Sequence, residues 1–206
     1  MTKKSGLNLC YQPPAMSSAN LTTRQAPLSR LLSGRPRIVR VGVVLLGSWL
    51  LAASSWAQVP MVPVPMTLQT YALFAIAGLA GWRLALEIVV VWLTQAAIGL
   101  PVLAGGASGL DALTGPTMGY LAGMLGAAPL VGRFAETPRT WWALMLACLG
   151  GHALVLGLGF AGLILDSPGL ASAFQGGVQP FLIGAVVKSL AAALTVTLAQ
   201  ARLKAI

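Results

Sequence analysis

From residue 38 onward, long apolar runs alternate with short breaks rich in Gly, Pro or Arg. A membrane-spanning helix needs roughly 20 apolar residues. Six runs reach or approach that length, at about 38–57, 67–82, 83–99, 117–135, 140–165 and 178–201. The pattern predicts an all-α membrane protein of six transmembrane helices. The second run is short and meets the third at Gly81-Trp82-Arg83, which predicts a tight hairpin. The fifth is long enough to require tilt. Ahead of them, residues 1–37 place basic side chains among Ser, Thr, Pro and Asn with no acid between them. That composition predicts a disordered tail suited to an anionic membrane surface, followed by one transmembrane domain over 38–206.

An even number of spans puts both termini on one side. Lys and Arg favour cytoplasmic loops. The tail, the turn at Arg83, the turn at Arg133 and Arg139, and the end at Arg202 and Lys204 all share a side, so both termini are expected in the cytoplasm. The other connections, 58–66, 100–116 and 166–177, hold no Lys or Arg, only Asp111 and Asp166. Ser-Trp-Ala before Gln58 is similar to a signal-peptidase site, and cleavage there would leave five spans. The basic stretch ahead of it is far longer than a usual signal's.

The uncharged outer connections are unusual loops. "QVPMVPVPM" at 58–66 carries three prolines and is expected to be stiff and non-helical. "GLPVLAGGASGLDALTGPTMGYLAG" at 99–123 holds seven glycines and one charge. Irregular backbone at membrane depth is tolerated where protein buries it or where it lines a cavity. These loops therefore read either as lids folding into the outer mouth of the bundle or as turns lying in the interface. Gly115, Gly119, Gly123 and Ala127 form a small-residue ridge at four-residue spacing, which permits close helix approach. Tyr120 stands beside it, as a belt tyrosine or as part of a site.

Composition agrees with this picture: 57% of the residues are apolar and only 8% charged. The net charge of +9 resides mainly in the tail and turns, with no fold to present it as a nucleic-acid groove. Cys10 and Cys148 suggest neither a disulfide framework nor a metal site, and no cofactor is expected. Lys188 is the exception, the one cation inside a span, about 15 Å from its outer end at about 1.5 Å per residue. An internal carboxylate, loss of the proton, or a cavity in which the ammonium meets an anionic ligand would each resolve it, and the last is favoured because carboxylates are few. Glu87, four residues after Arg83, is expected to pair with it. His152 is expected to bond a neighbouring helix.

Four segments in order carry a resemblance: "VPVPMTLQT" at 62–70, "AIGLPVLAGGASGL" at 97–110, "GPTMGYLAG" at 115–123 and "PFLIGAVVK" at 180–188. Together they resemble the BioY family, the biotin-specific substrate-binding S components of energy-coupling-factor (ECF) transporters. The resemblance covers all but about the first 37 residues. It implies six helices, internal termini, a bacterial plasma (inner) membrane location, and an outward pocket roofed by the first and third connections. By residue, it matches Gln69 and Thr70, Gly105 and Gly106, Gly115, Thr117 and Tyr120, and Lys188. Two family positions differ: the aspartate one turn before the lysine is Ala185, and a proline is Ile183. Leu103 stands where phenylalanine is usual. Biotin offers a ureido ring, a thioether ring and a carboxylate. Gln69, Thr117 and loop backbone suit the ureido edge, while Met66, Trp92 and Tyr120 suit the rings, and Lys188 suits either the carboxylate or the ureido carbonyl.

The chain has no phosphate-cradling Gly-x4-Gly-Lys-Ser/Thr loop. The resemblance therefore implies partners: ABC-type ATPases and an ECF transmembrane coupling subunit. Ser48 with Ala52, and Ala53 with Ala57, offer docking faces or internal packing. Two rivals remain. "GASG" at 106–109, with Ser108 as nucleophile and His152 as base, is similar to a rhomboid-like intramembrane protease, but Leu144 and Cys148 break that family's small-residue spacing. A ligand-free membrane assembly subunit would explain the spans but not Lys188.

Overall fold

The computed structural model describes residues 26–137, 140–166 and 169–204. The elements are α1 (Pro27–Leu32), α2 (Arg37–Trp56), β1 (Gln58–Val59), β2 (Met66–Thr67), α3 (Gln69–Ala80), α4 (Trp82–Ala97), α5 (Gly109–Thr114), α6 (Met118–Ala135), α7 (Trp141–Asp166), α8 (Leu170–Gly177) and α9 (Phe181–Lys204). The six longer helices fall on the six apolar runs. Arg37–Trp56, Trp141–Leu165 and the run Leu170–Leu203 are long and apolar enough to cross a membrane, and Gln69–Ala80 is apolar but shorter. Leu46, Leu165 and Ile183 are 73%, 84% and 80% exposed. That much bare aliphatic surface suits lipid, which is as apolar as leucine.

The breaks follow from backbone chemistry. α3 ends at Gly81, whose φ of 81° is open to glycine and costly for other residues. Its N–H still reaches the Ala77 carbonyl at 3.0 Å, so α4 starts at the next residue. Pro180 supplies no N–H and stands immediately before α9. Between α2 and α3 the proline-rich connection is non-helical, as its composition predicts. It is also a small antiparallel hairpin, with Gln58 opposite Thr67 and Val59 opposite Met66.

Among the described residues, Arg40, Arg83 and Arg133 gather at one end. A cavity of about 240 Å3 there brings Ser29 and Leu32 of α1 together with Arg40, Arg83 and Glu136. Gln200 donates to the Gly78 carbonyl, bringing the end of α9 beside the end of α3. Residues 27–32, inside the stretch expected to be unstructured, are helical, and Leu28 and Leu32 pack on the core. Residues 1–25 lie outside the described residues.

Several sequence expectations are corrected here. Glu87 pairs with Arg40 of α2, which donates from Nε at 3.1 Å and from Nη2, rather than with Arg83. The Arg83 guanidinium instead lies over the Trp82 ring, 5.0 Å from its centroid. Tertiary proximity of α2 and α4 outweighs the local i,i+4 spacing. Both members of the Arg40–Glu87 pair are largely exposed, at 53% and 41%, so water and ions screen it. Glu87→Gln is therefore expected to shift the unfolding free energy in detergent by under about 1 kcal/mol. Of the two readings left open for the small residues of α2, internal packing holds for the buried Ser48 and Ala52, whereas Ala53 and Ala57 are exposed.

The small-residue ridge packs α6 on α7 through Gly119 and Gly123. Gly119 abuts the Leu158 backbone, Gly123 lies against Val155, and Ala127 is fully buried. Gly115 precedes the helix, capping α5.

Candidate functional site

At the end opposite the arginines, the hairpin and the connection after α4 close over the bundle. Polar side chains from the helices hold them. Ser55 and Trp92 both donate to the Val102 carbonyl at 3.0 Å, and Trp56 donates to the Pro101 carbonyl at 3.1 Å. Gly105 and Gly106 take φ of 67° and 77° in the 3-10 turn Ala104–Gly106, a conformation that favours glycine. Gln58 of the hairpin packs on Gly105.

Beneath lies a cavity of about 90 Å3. α3 is only twelve residues long because the hairpin occupies what would be its outer turn. Its first residues, Gln69 and Thr70, therefore sit at cavity depth. Val64, Pro65 and Thr67 of the hairpin, Leu103 and Ala104 of the turn, Thr117, Tyr120 and Met124 of the α6 region, and Phe181 of α9 complete most of the lining. Tyr120 donates to the Gly177 carbonyl at 2.6 Å, tying α6 to α8 while its ring faces Phe181 at 6.1 Å.

Lys188 is the charged group in this lining. It stands seven residues into α9, so ~10 Å along the axis, shallower than expected because residues 178–180 form a turn rather than helix. Its Nζ donates to the Thr67 carbonyl at 2.6 Å. Among the described residues no carboxylate pairs with it, and Ala185, one turn earlier on the same wall, offers none. Gln69 is 6% exposed, and its Nε2 has no partner among the described residues. A buried amide donor without an acceptor costs about 1–3 kcal/mol. A polar ligand atom would remove that cost.

Of the ten residues selected from sequence, Gln69, Thr70, Thr117, Tyr120 and Lys188 line this cavity and the other five do not. Met66 lies in β2, its sulfur packed on Gly184 of α9. Trp92 is fully buried and buttresses the roof through its indole N–H. Gly105 and Gly106 shape the roof, and Gly115 terminates α5. Sequence reasoning missed the apolar wall and the placement of His152. That residue does bond neighbouring helices, as expected, but it also lines the cavity. Its ring nitrogens meet Thr70, Ser189 and the Cys148 carbonyl, while Ser108 begins α5. No Ser108–His152 pair forms.

A mostly apolar cavity with a few convergent polar groups is the form a small-ligand site takes. Set among apolar spanning helices, it defines a helical membrane protein built around a small-molecule pocket. The chain belongs to the BioY family, whose model matches residues 24–205. The biotin transporter BioY of Rhodobacter capsulatus is 36% identical over 179 residues, which cover 78% of this chain and 94% of that protein. The biotin transporter BioY of Thermotoga maritima is 30% identical over 145 residues, covering 70% and 86%. A crystal structure at 2.1 Å of the S-component for biotin from an ECF-type ABC transporter shares the fold, with a TM-score of 0.71 at 23% identity. It covers 80% of this chain and 92% of that one.

Proposed function

We propose that this chain is the biotin-binding membrane subunit of an uptake system, a transport component and not an enzyme. The observation that carries this is the presence of one ammonium, without a carboxylate partner among the described residues, and a buried unsatisfied amide in the same mostly apolar pocket. Biotin supplies the complement: a carboxylate, a ureido group and an apolar thioether ring. Relatives of this family named as biotin transporters support the same ligand.

In this reading Gln69, Thr70, Thr117, Tyr120 and Lys188 touch the vitamin. Met66, Gly105, Gly106 and Gly115 act through the roof, and Trp92 holds that roof in place. Six helices span the bacterial plasma (inner) membrane, with both termini cytoplasmic. The clustering of Arg40, Arg83 and Arg133 at the end away from the pocket supports this orientation. The pocket then opens outward. Energy comes from ABC-type ATPases through an ECF transmembrane coupling subunit, since the chain carries no nucleotide-binding loop.

Equilibrium binding to the detergent-purified chain tests the proposal. Biotin is expected to bind saturably, desthiobiotin to compete because it keeps the ureido group and carboxylate, and lipoate and thiamine to compete poorly. Equal competition by lipoate would refute a site that reads the ureido group.

A further inference from the structure

The chain has a single histidine, and it is 4% exposed in the pocket wall. Its Nδ1 lies 2.9 Å from the Ser189 hydroxyl and 3.3 Å from the Cys148 carbonyl oxygen, and its Nε2 lies 3.1 Å from the Thr70 hydroxyl. Phe74 meets the imidazole edge-on at 4.8 Å and 87°, which holds the ring plane. A neutral imidazole carries one N–H and one lone pair. The Cys148 carbonyl can only accept, whereas the closer Ser189 hydroxyl can donate or accept, so hydrogen on Nδ1 is the tautomer that sets no lone pair against another. Nε2 is then the acceptor, and the Thr70 hydroxyl donates to it. With its hydrogen committed, Thr70 Oγ1 has only lone pairs left for the pocket. Its neighbour Gln69, on the same wall, carries the unpartnered Nε2 donor.

We infer that His152 fixes Thr70 as a hydrogen-bond acceptor, so that Thr70 with Gln69 selects a ligand presenting an N–H beside a C=O. A cyclic urea has that pattern. A carboxylate does not, because it would bring lone pairs to lone pairs, and it is left to Lys188. His152 is a positioning residue in this scheme, acting on the ligand through Thr70. The inference deepens the biotin reading and rests on it.

Two measurements test it. Because there is one histidine, 15N-histidine labelling yields one ring spectrum, which needs no ligand. The expected form is protonated at Nδ1 with Nε2 bare; hydrogen on Nε2 overturns the inference. The second compares biotin with its two cyclic carbamate analogues, in each of which oxygen replaces one ureido N–H without added bulk. The wild-type chain is expected to reject at least one analogue by about tenfold or more, since an acceptor facing an acceptor leaves both unsatisfied. Thr70→Ser keeps that discrimination. The near-isosteric Thr70→Val, and His152→Phe, reduce it to below about threefold. Parallel loss for all ligands, with the ratio intact, would mean a merely structural role and sinks the selection alone. Failure of the wild-type chain to bind biotin sinks the ligand reading and the selection together.

Discussion

Lys188→Ala is expected to weaken biotin binding at least tenfold, about 1.4 kcal/mol. The residue is the pocket's charged group, and among the described residues no carboxylate neutralises it. A ligand carboxylate therefore gains an ion pair in a largely apolar setting, where hydrogen bonds to charged groups contribute about 1.5–3 kcal/mol. The substitution also removes the donor that reaches Thr67 at 2.6 Å, so hairpin disorder is a competing explanation. Biotin methyl ester separates the two. If Lys188 meets the carboxylate, the ester binds the wild-type chain weakly, and the variant no longer distinguishes ester from acid. If the variant still prefers the acid by the original factor, the carboxylate contact is wrong. Lys188→Met, which keeps most of the apolar stem, should behave as the alanine variant does.

Gly123→Leu is expected to cost on the order of 3 kcal/mol of folding stability, at the upper end of overpacking effects. A Cβ at Gly123 would lie 2.6 Å from Val155 Cα and 3.2 Å from the Val155 carbonyl oxygen. These are backbone atoms of a facing helix, which cannot rotate aside as a side-chain tip can. The helices must separate instead, and the α6–α7 contact that carries Tyr120 toward the pocket opens with them. Gly157 of α7 is the control, because a Cβ there meets nothing within 4 Å. Gly157→Ala is expected to leave the thermal midpoint in detergent nearly unchanged. Equal tolerance at both positions would mean that α6 and α7 do not pack as described.

These two glycines show where reading the chain stops. In sequence, Gly123 and Gly157 both sit in apolar runs. The four-residue spacing before Gly123 correctly marked a close-packed face, yet nothing marked Gly157 as open. The site behaves the same way. Lys188 and Tyr120 were legible because each is a polar or amphipathic residue in an apolar context, where it needs a partner, whereas Gln69, Thr70 and Thr117 were legible only through the family resemblance. Val155, Leu156 and Met124 were not, because one apolar residue in such a helix resembles the next. Trp92 was assigned to the ligand for its ring, but the structure turns the indole toward the roof carbonyl of Val102.

Charge pairing divides along the same line. Spacing within one helix favoured Arg83 for Glu87, and the packing of α2 on α4 brought Arg40 instead. His152 was assigned to a neighbouring helix, but only the three-dimensional arrangement identifies Thr70 and Ser189 as its partners and puts the ring in the pocket wall.

The amino-acid sequence by itself determined the class, the positions of the six apolar helices, the gathering of basic residues in alternate connections, and the polar residues that apolar surroundings make conspicuous. These are properties of composition and local period, and water or lipid enforces them without reference to any partner element. Tertiary structure alone decided which apolar face meets protein and which meets lipid, which glycines are crowded, where Arg40, Trp92 and His152 direct their polar atoms, and that Lys188 reaches the Thr67 carbonyl. Lipid is as apolar as a helix neighbour, so hydrophobicity cannot mark the buried face. Only close packing and hydrogen bonds between distant segments can.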